Sequence, residues 1–414
     1  MRRKKLLLAM LACCMAATTA NAQKYLGGDI SMLPAYEAKS ANYKDKDGKK
    51  ISDVLLFLKE QGCNAMRVRL FVDPNREGIV HDAVGAIQDL PYVKDLGKRI
   101  KDAGMAFMLD FHYSDTWTDP GKHSTPASWT ATTANELAET LYNYTYNSLV
   151  ELKNAGAEPD FIQVGNEITY GQLWPTGHIW PAGGGQDGGS WDNFYLYVKK
   201  GTEACRSACP NAKVVIHVEM SGQGKNVKPF LQNFLTYNPD FDIIGLSYYP
   251  YHHGNLTNLN NLLTNLETTY PNKKIQLVEA GYPNAWYPSD ASFDYTSVYP
   301  ATEEGQRKFT ADLITKLNAH ENVNGLYWWY PEALGNYVDA KNWYNMNLWN
   351  NSNYRALKAL YELKNFVNDP AGIEQIANTH HLSPNTSYYD LQGRKVAQPK
   401  QGLYITHGKK FVVK

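Results

Sequence analysis

The chain has no excess of charge of either sign: over its 414 residues, Lys plus Arg and Asp plus Glu both number 41. That balance argues against a basic nucleic-acid binder and against a disordered acidic chain, since each depends on a field this protein does not carry. Past the N-terminus, no stretch approaches the ~18 uninterrupted apolar residues that a membrane helix needs, so no integral membrane segment is expected. Cysteine is scarce, at five residues. Cys13 and Cys14 fall inside an N-terminal leader, which leaves Cys63, Cys205 and Cys209, an odd number and no disulfide framework. Cys205 and Cys209 stand four apart on an expected helix, where a bridge would be strained, so buried free thiols are expected. The signatures of several chemistries are also missing. Gly183 to Gly189 has no GxxxxGK[ST], His252-His253 would point to opposite faces of a strand, and neither HExxH nor G-x-S-x-G occurs. Phosphate-loop, zinc-hydrolase and serine-hydrolase readings fall away, and no cofactor is expected.

What the chain has in quantity is aromatic side chains: 13% of residues, including 29 tyrosines and 10 tryptophans. Such a supply suits flat, weakly polar ligands, of which sugar rings are the commonest. All ten tryptophans (117, 129, 174, 180, 191, 286, 328, 329, 343 and 349) fall in the last expected strand or in segments after the third, fourth, seventh and eighth. This clustering predicts an aromatic-lined cleft at one end of the fold, with the long loops Ser114–Trp129 and Ile168–Asp192 extending it over several sugar units.

The organisation reads in four parts. Residues 1–22 form a signal peptide, with basic Arg2 to Lys5, apolar Leu6 to Ala17 and an Ala20-Asn21-Ala22 cleavage site. Export through the secretory pathway is therefore expected, to an extracellular, cell-surface or periplasmic location. Met10-Leu11-Ala12-Cys13 leaves a lipid anchor on Cys13 as the alternative. Residues 23–367 alternate strands and helices. The strands are Leu26–Ser31, Ala65–Phe71, Ala106–His112, Phe161–Glu167, Lys213–Glu219, Ile243–Tyr249, Ile275–Glu279 and Gly325–Trp329; the helices include Ile51–Gln61, Val93–Ala103, Ala134–Ala155 and Gly305–His320. Eight such units predict an α/β fold, a (β/α)8 TIM barrel. The competing open doubly wound sheet would carry a GxGxxG turn after its first strand, and Gly27-Gly28-Asp29 is not followed by one. Residues 368–387 read as a linker and 388–414 as a small C-terminal β segment, too short for a substantial core of its own.

In a barrel, chemistry sits where strands end. Glu167 ends the fourth strand and Glu279 the seventh. A glutamate closing an apolar strand is expensive to bury unpaired, and two of them form the pair that glycoside hydrolysis requires, one acid and one nucleophile or base. Arg67 and Arg69 alternate on one face of the second strand, so at least one reaches the mouth and can hold a carboxylate ionised. His112, Tyr248, Tyr249, Trp328 and Trp329 end neighbouring strands.

These segments together resemble the endo-β-1,4-galactanases of glycoside hydrolase family 53. The resemblance rests on Gly28-Asp29-Ile30-Ser31-Met32-Leu33-Pro34, Asn64-Ala65-Met66-Arg67-Val68-Arg69, the run from Asp110 to Lys122, Gln163-Val164-Gly165-Asn166-Glu167, Ser247-Tyr248-Tyr249-Pro250 and Glu279-Ala280-Gly281-Tyr282. It covers most of residues 25 to 365, and the run Ser114-Asp115-Thr116-Trp117 with Asp119-Pro120-Gly121 is its most specific part. The resemblance implies a secreted, endo-acting, retaining hydrolase of β-1,4-galactan, the substrate found in pectic galactan and type I arabinogalactan. It implies Glu167 as acid/base, Glu279 as nucleophile and Asn166 at the sugar 2-OH. Asp29, Arg69, His112, Asp115, Trp117, Tyr248, Tyr249 and Trp329 are implied as substrate-binding residues. Bacterial members often hold calcium in the loop after strand seven, but Tyr282 to Asp290 lacks a dense ligand run, so calcium is not expected. A monomer with a polysaccharide partner is expected. The alternatives are another retaining barrel glycanase, for mannan, xylan or β-glucan, and a non-catalytic glycan-binding protein.

Overall fold

The computed structural model describes residues 23–75, 85–335, 337, 345–367, 373–376, 388–390, 393–396, 402–406 and 409–413. The expected signal peptide, with Cys13, and Trp343 lie outside the described residues. Eight strands follow one another as β1 (Tyr25–Asp29), β2 (Ala65–Leu70), β3 (Ala106–Phe111), β4 (Phe161–Val164), β5 (Lys213–Glu219), β6 (Ile243–Tyr248), β7 (Lys274–Ala280) and β8 (Val323–Trp328). They form a closed barrel in sequence order, each parallel to its neighbour, with β8 returning to β1 through pairs such as Leu26 with Leu326. The (β/α)8 fold is the one expected.

Helix boundaries are set by capping side chains more than by apolar spacing. Asp53 accepts from the Leu56 N–H and starts a helix at Val54–Glu60, inside the expected Ile51–Gln61. Asp89 accepts from the Tyr92 N–H, with a proline in the first turn, and begins Leu90–Asp102 three residues before the expected Val93. Thr133 and Glu136 form a reciprocal capping box ahead of Ala134–Asn154, and Thr302 caps Glu303–Asn318. Cys63, Cys205 and Cys209 are buried and free, as their number predicted.

Alternation along the strands fills the barrel in layers. Ala65, Met108, Phe161, Val215, Ile243, Val278 and Tyr327 make one apolar cluster. Two residues further along their strands stand Arg67, Asp110, Gln163 and His217, all fully buried. The period of two turns each to the same interior, so an apolar plug lies beneath a layer of charge and amide. One departure from that period matters. Leu246 pairs with Leu277, but Ser247 pairs with Glu279, so Val278 is an extra residue in β7. The irregularity recurs on the β8 side between Leu277 and Ala280. A bulge of this kind re-aims the side chain that follows it, and here Val278 and Glu279 both face inward.

Lys24–Val367 form one compact unit, and the C-terminal residues belong to another. In the latter, β9 (Ile373–Ile376), β10 (Tyr388–Tyr389), β11 (Lys395–Val396), β12 (Gly402–Thr406) and β13 (Lys409–Val413) make a sheet in the order β11-β10-β12-β13-β9. Part of the expected linker 368–387 is thus a strand, β9, parallel to β13. It covers backbone groups that an isolated hairpin would leave open.

Gly27 in β1 offers a test of this packing. A Cβ there would overlap the carbonyl oxygen of Ala65 on β2, a backbone atom with no freedom to move aside. Gly27→Ala is expected to lose about 3 kcal/mol or more by overpacking. Differential scanning calorimetry checks this, and an unchanged melting temperature would mean the β1–β2 contact is looser than drawn.

Candidate active site

Three strand ends carry non-glycine residues in the left-handed region: Tyr113 after β3, Glu167 after β4 and Tyr330 after β8, with φ of 49°, 47° and 51°. Such conformations persist only where the surroundings hold them, and they gather at functional sites. Gly165, at φ +99°, and Glu167 end β4 early, so the expected strand to Glu167 stops at Val164. The turn carries the Glu167 side chain over the barrel mouth, towards Glu279. One carboxylate oxygen from each, with a ring nitrogen of His217, lie within 4.8 Å of one another. The two glutamates are therefore brought together.

Arg67 organises the floor. Its Nη1 donates to Asp29 Oδ2 at 2.8 Å, Nη2 to Asp110 Oδ2 at 2.7 Å and to Asn166 Oδ1 at 3.0 Å, and Nε to Gln163 Oε1 at 2.6 Å. Its Nη2 also lies 3.0 Å from Glu279 Oε1. Tyr249 donates its hydroxyl proton to Glu279 Oε2 at 2.8 Å, so both oxygens of that carboxylate are held. Asn166 spends one amide hydrogen on the Thr118 carbonyl at 2.8 Å, which, with Arg67 on its oxygen, fixes the orientation of the amide.

The environments separate the acids. Burial pushes Asp110 up, but Arg67 and His112 outweigh it and hold the carboxyl at about 2. Burial also raises Glu279; Arg67 and the Tyr249 hydrogen bond draw it back, to about 7. Glu167 is raised well above the ordinary glutamate range by burial, then by the charge of Glu279, against the hydrogen bond that Ser247 offers it. Glu279 therefore ionises before Glu167. This arrangement keeps one carboxyl protonated beside a carboxylate.

Other expected site residues do different work. Asp29 Oδ1 accepts from the Ser31 N–H, the Ser31 hydroxyl and Arg69 Nη1, and Oδ2 accepts from Arg67. With four donors on a carboxylate that is 1% exposed, Asp29 orients the two arginines beneath the site. Arg69 is buried as well, its guanidinium 4.5 Å from the ring centre of Trp117, 4.8 Å from Trp329 and 4.9 Å from Tyr330. It braces the aromatic wall. Asp115 Oδ2 accepts from the Ala127 N–H and ties the loop after β3 to itself. His112 Nδ1 accepts from the Thr118 N–H, and its Nε2 lies 3.2 Å from Asp110, which aligns that same loop. Tyr248 was expected to shape the subsite, but it faces out of the barrel. Its hydroxyl donates to the Gly254 carbonyl and its ring stacks near Phe309. Tyr249, the inward neighbour, is the one on Glu279. Likewise Trp329 faces the mouth, whereas Trp328 is fully buried and donates to the Met346 carbonyl.

The tryptophan cluster is thinner than its sequence positions predicted. Trp129, Trp191, Trp328, Trp329 and Trp349 all belong to the hydrophobic core, Trp329 being the one of them that packs against Arg69 and Trp117. Trp191 opens a helix and packs on Phe194 and Phe230, because the segment after β4 returns to the barrel wall. Trp117 and Trp329 meet edge to face at the mouth with ring centres 6.0 Å apart, and among the described tryptophans Trp180 and Trp286 are the exposed ones, at 49% and 42%. Sequence reasoning missed Gln163, His217, Ser247 and Glu219. The signal available was their inward register: each lies an even number of positions along its strand from an apolar inward residue.

Glu167, His217 and Glu279 could in principle hold a cation. The hydrogen bonds argue against it. His217 Nδ1 accepts the Glu167 N–H at 3.2 Å, which puts the proton on Nε2, and Nε2 lies 2.8 Å from Ser247 Oγ. Neither nitrogen keeps a lone pair for a metal.

A (β/α)8 barrel with unequal, facing carboxyls on its fourth and seventh strands defines the class, a glycoside hydrolase. Residues 25–364 match the family described as glycosyl hydrolase family 53, and the chain belongs to it. It is 30% identical to arabinogalactan endo-β-1,4-galactanase A of Emericella nidulans, over 80% of this chain and 91% of that protein. Among solved structures, a family 53 catalytic domain from Ignisphaera aggregans is 32% identical with a TM-score of 0.72, covering 83% of this chain and 96% of that one. A structure from a study of two fungal β-1,4-galactanases is 28% identical with a TM-score of 0.70, covering 83% and 99%.

Tyr249→Phe tests the electrostatics. It removes a hydrogen bond that favours the charged form of Glu279, so the Glu279 pKa rises and the pH range in which it is ionised retreats upward. A hydrogen bond to a charged group is worth about 1.5 kcal/mol, or roughly one pH unit. The acid limb of kcat/KM should move up by that amount. An unmoved limb would mean that Arg67 alone sets Glu279.

Proposed function

We propose that this protein is an endo-acting, retaining hydrolase of β-1,4-galactan, exported and working as a monomer. The observation that carries the chemistry is the close approach of the Glu167 and Glu279 carboxyls in unequal environments. Double displacement places the two carboxyl groups ~5–5.5 Å apart, against ~6.5–9.5 Å for inversion; the retaining reading rests on family membership together with one oxygen of each glutamate lying within 4.8 Å of the other. The choice of galactan rests on family membership and on the names of the related galactanases. Export rests on the leader at residues 1–22.

Glu279, ionised, attacks the anomeric carbon while the Glu167 proton passes to the departing glycosidic oxygen. The C–O bond to the leaving sugar breaks as the bond to Glu279 forms. Water then attacks the glycosyl-enzyme, its proton goes to Glu167, and Glu279 leaves as carboxylate. Asn166, fixed by Arg67 and Thr118, faces the 2-OH of the attacked sugar, and Trp329 underlies its ring.

Glu279→Ala should abolish turnover of galactan and of aryl galactobiosides alike. Glu167→Ala should lose galactan hydrolysis yet still cleave an aryl galactobioside with a good leaving group, accumulate intermediate and turn over faster with azide. Proton NMR should find the β-anomer formed first. Release of the α-anomer, or galactan activity surviving both substitutions, would overturn the reading. Faster cleavage of mannan, xylan or β-glucan would overturn the substrate.

Trp117→Ala should reduce turnover of polymer more than of a short oligosaccharide, because stacking away from the reacting centre contributes there through binding energy. Equal losses would mean that Trp117 serves only to brace Arg69.

A further inference from the structure

We propose that Trp180, held out on the loop after β4, is the platform on which the departing part of the galactan chain stacks, and on which a sugar acceptor stacks when one replaces water. The inference deepens the galactanase reading and rests on it, naming the residue that recognises sugars beyond the cleaved bond.

Exposure alone would carry nothing, since single apolar side chains are common on protein surfaces. What sets Trp180 apart is its mounting. Its N–H donates to the Gly184 carbonyl at 3.1 Å, and its carbonyl accepts from the Gly183 N–H at 2.9 Å and from Trp191 Nε1 at 3.0 Å. The carbonyl of Pro181 accepts from Asn233 Nδ2 at 2.8 Å. The turn from Trp180 to Gly183 is thereby tied to two helices, Trp191–Ala208 and Val227–Leu235. Gly183 and Gly184, at φ +113° and +88°, let the chain reverse this tightly. His178 and Asp187 close the base of the same loop at 2.9 Å. The backbone is fixed on every side while the indole stays exposed. The mounting also sets the place. Ile179 donates its N–H to the Tyr170 carbonyl at 3.1 Å, and the Trp180 ring meets the Tyr170 ring edge to face at 6.3 Å. Tyr170 closes the short helical turn Ile168–Tyr170, which begins on Glu167. The indole therefore stands beside the acid's own turn, whereas Trp117 and Trp329 meet over Arg69 on β2.

Double displacement gives the two sides of the cleaved bond different partners. The attacked sugar stays on Glu279; the glycosidic oxygen that takes the Glu167 proton leaves with the other part of the chain. That part lies on the side of the acid, so an aromatic surface on the acid's loop meets the departing sugars. The axial 4-oxygen of galactose leaves the C–H groups at C3, C4 and C5 together on one face, and an indole ring is suited to cover such a patch. A ring whose backbone is fixed before binding loses little freedom when the sugar arrives. In the second half-reaction water makes no use of the platform, but a sugar acceptor does. Transfer to a sugar joins the anomeric carbon to the acceptor hydroxyl oxygen, gives that hydroxyl's proton to Glu167 and releases Glu279 as carboxylate. The same indole therefore sets how the glycosyl-enzyme divides between hydrolysis and transfer.

Trp180→Ala in the full chain tests the platform, with Trp180→Phe to keep a ring in place. In Trp180→Ala, kcat/KM on galactan should fall about tenfold, chiefly through KM. On an aryl galactobioside, whose leaving group carries no further sugars, the fall should be much smaller, and Trp180→Phe should recover most of the difference. With the aryl galactobioside as donor, added galactotriose competes with water for the glycosyl-enzyme. The ratio of transfer to hydrolysis should drop about tenfold in Trp180→Ala, while the same ratio for methanol, which cannot stack, should hold. These ratios do not depend on the fraction of the protein that folds. Equal losses on galactan and the aryl substrate would overturn the proposal by making Trp180 a support for the Glu167 turn. An unmoved transfer ratio with galactotriose would overturn it by placing the indole outside the path of the chain. The underlying reading fails separately. Protein that leaves galactan intact but cuts another β-glycan changes the substrate alone, and the transfer ratio with that glycan's oligosaccharides still decides Trp180. Protein that cuts no glycan overturns both.

Discussion

The structure turns on one buried guanidinium. Arg67 has no exposure, yet it is bonded to or paired with five groups from four strands or their ends: Asp29, Asp110, Gln163, Asn166 and Glu279. Burying charges removes their hydration, and pairing seldom returns more than it takes, so such a network contributes little net stability. What it supplies is position. The planar fork of arginine fixes directions that a lysine ammonium would not, and through it the closed barrel sets the distance between the β4 and β7 carboxyls.

The same network explains how similar side chains come to differ. Asp110 and Glu279 are buried and Glu167 is half-buried, and the loss of hydration raises all three. Asp110 has Arg67 and His112 against it and stays near 2. Glu279 has Arg67 and a tyrosine hydroxyl and settles near 7. Glu167 has no cation within hydrogen-bonding distance among the described residues, faces the Glu279 charge and sits highest. The order follows the number and sign of the neighbours, and it matches the order that acid/nucleophile chemistry calls for. The wall beside this layer is built likewise. Arg69, paired to Asp29, lies among Trp117, Trp329 and Tyr330, so the aromatic surface at the mouth is locked to the charged floor.

Local rules explain why some expectations met the structure and others did not. Strand alternation decides Tyr249 over Tyr248 and Trp329 over Trp328, since adjacent residues on a strand face opposite sides. The choice could have been made from sequence had the inward register been carried to the strand ends. The tryptophans are a different case. A position after a strand does not say whether the segment stays at the mouth or returns to the wall, and Trp129, Trp191 and Trp349 return to the core.

The sequence by itself determined the repeated strand and helix alternation, the barrel, and the two glutamates at the ends of the fourth and seventh strands. These are carried by periodicity and by residue types that are costly to bury without purpose. Only the tertiary structure decided which groups hold them. The bulge at Val278 that turns Glu279 inward, the occupation of Asp29 by two arginines, and the meeting of His217 with Ser247 and the Glu167 backbone all join residues 30 to 50 positions apart. Their chemistry depends on distances of about 3 Å between side chains, which closing the barrel creates and no local pattern records.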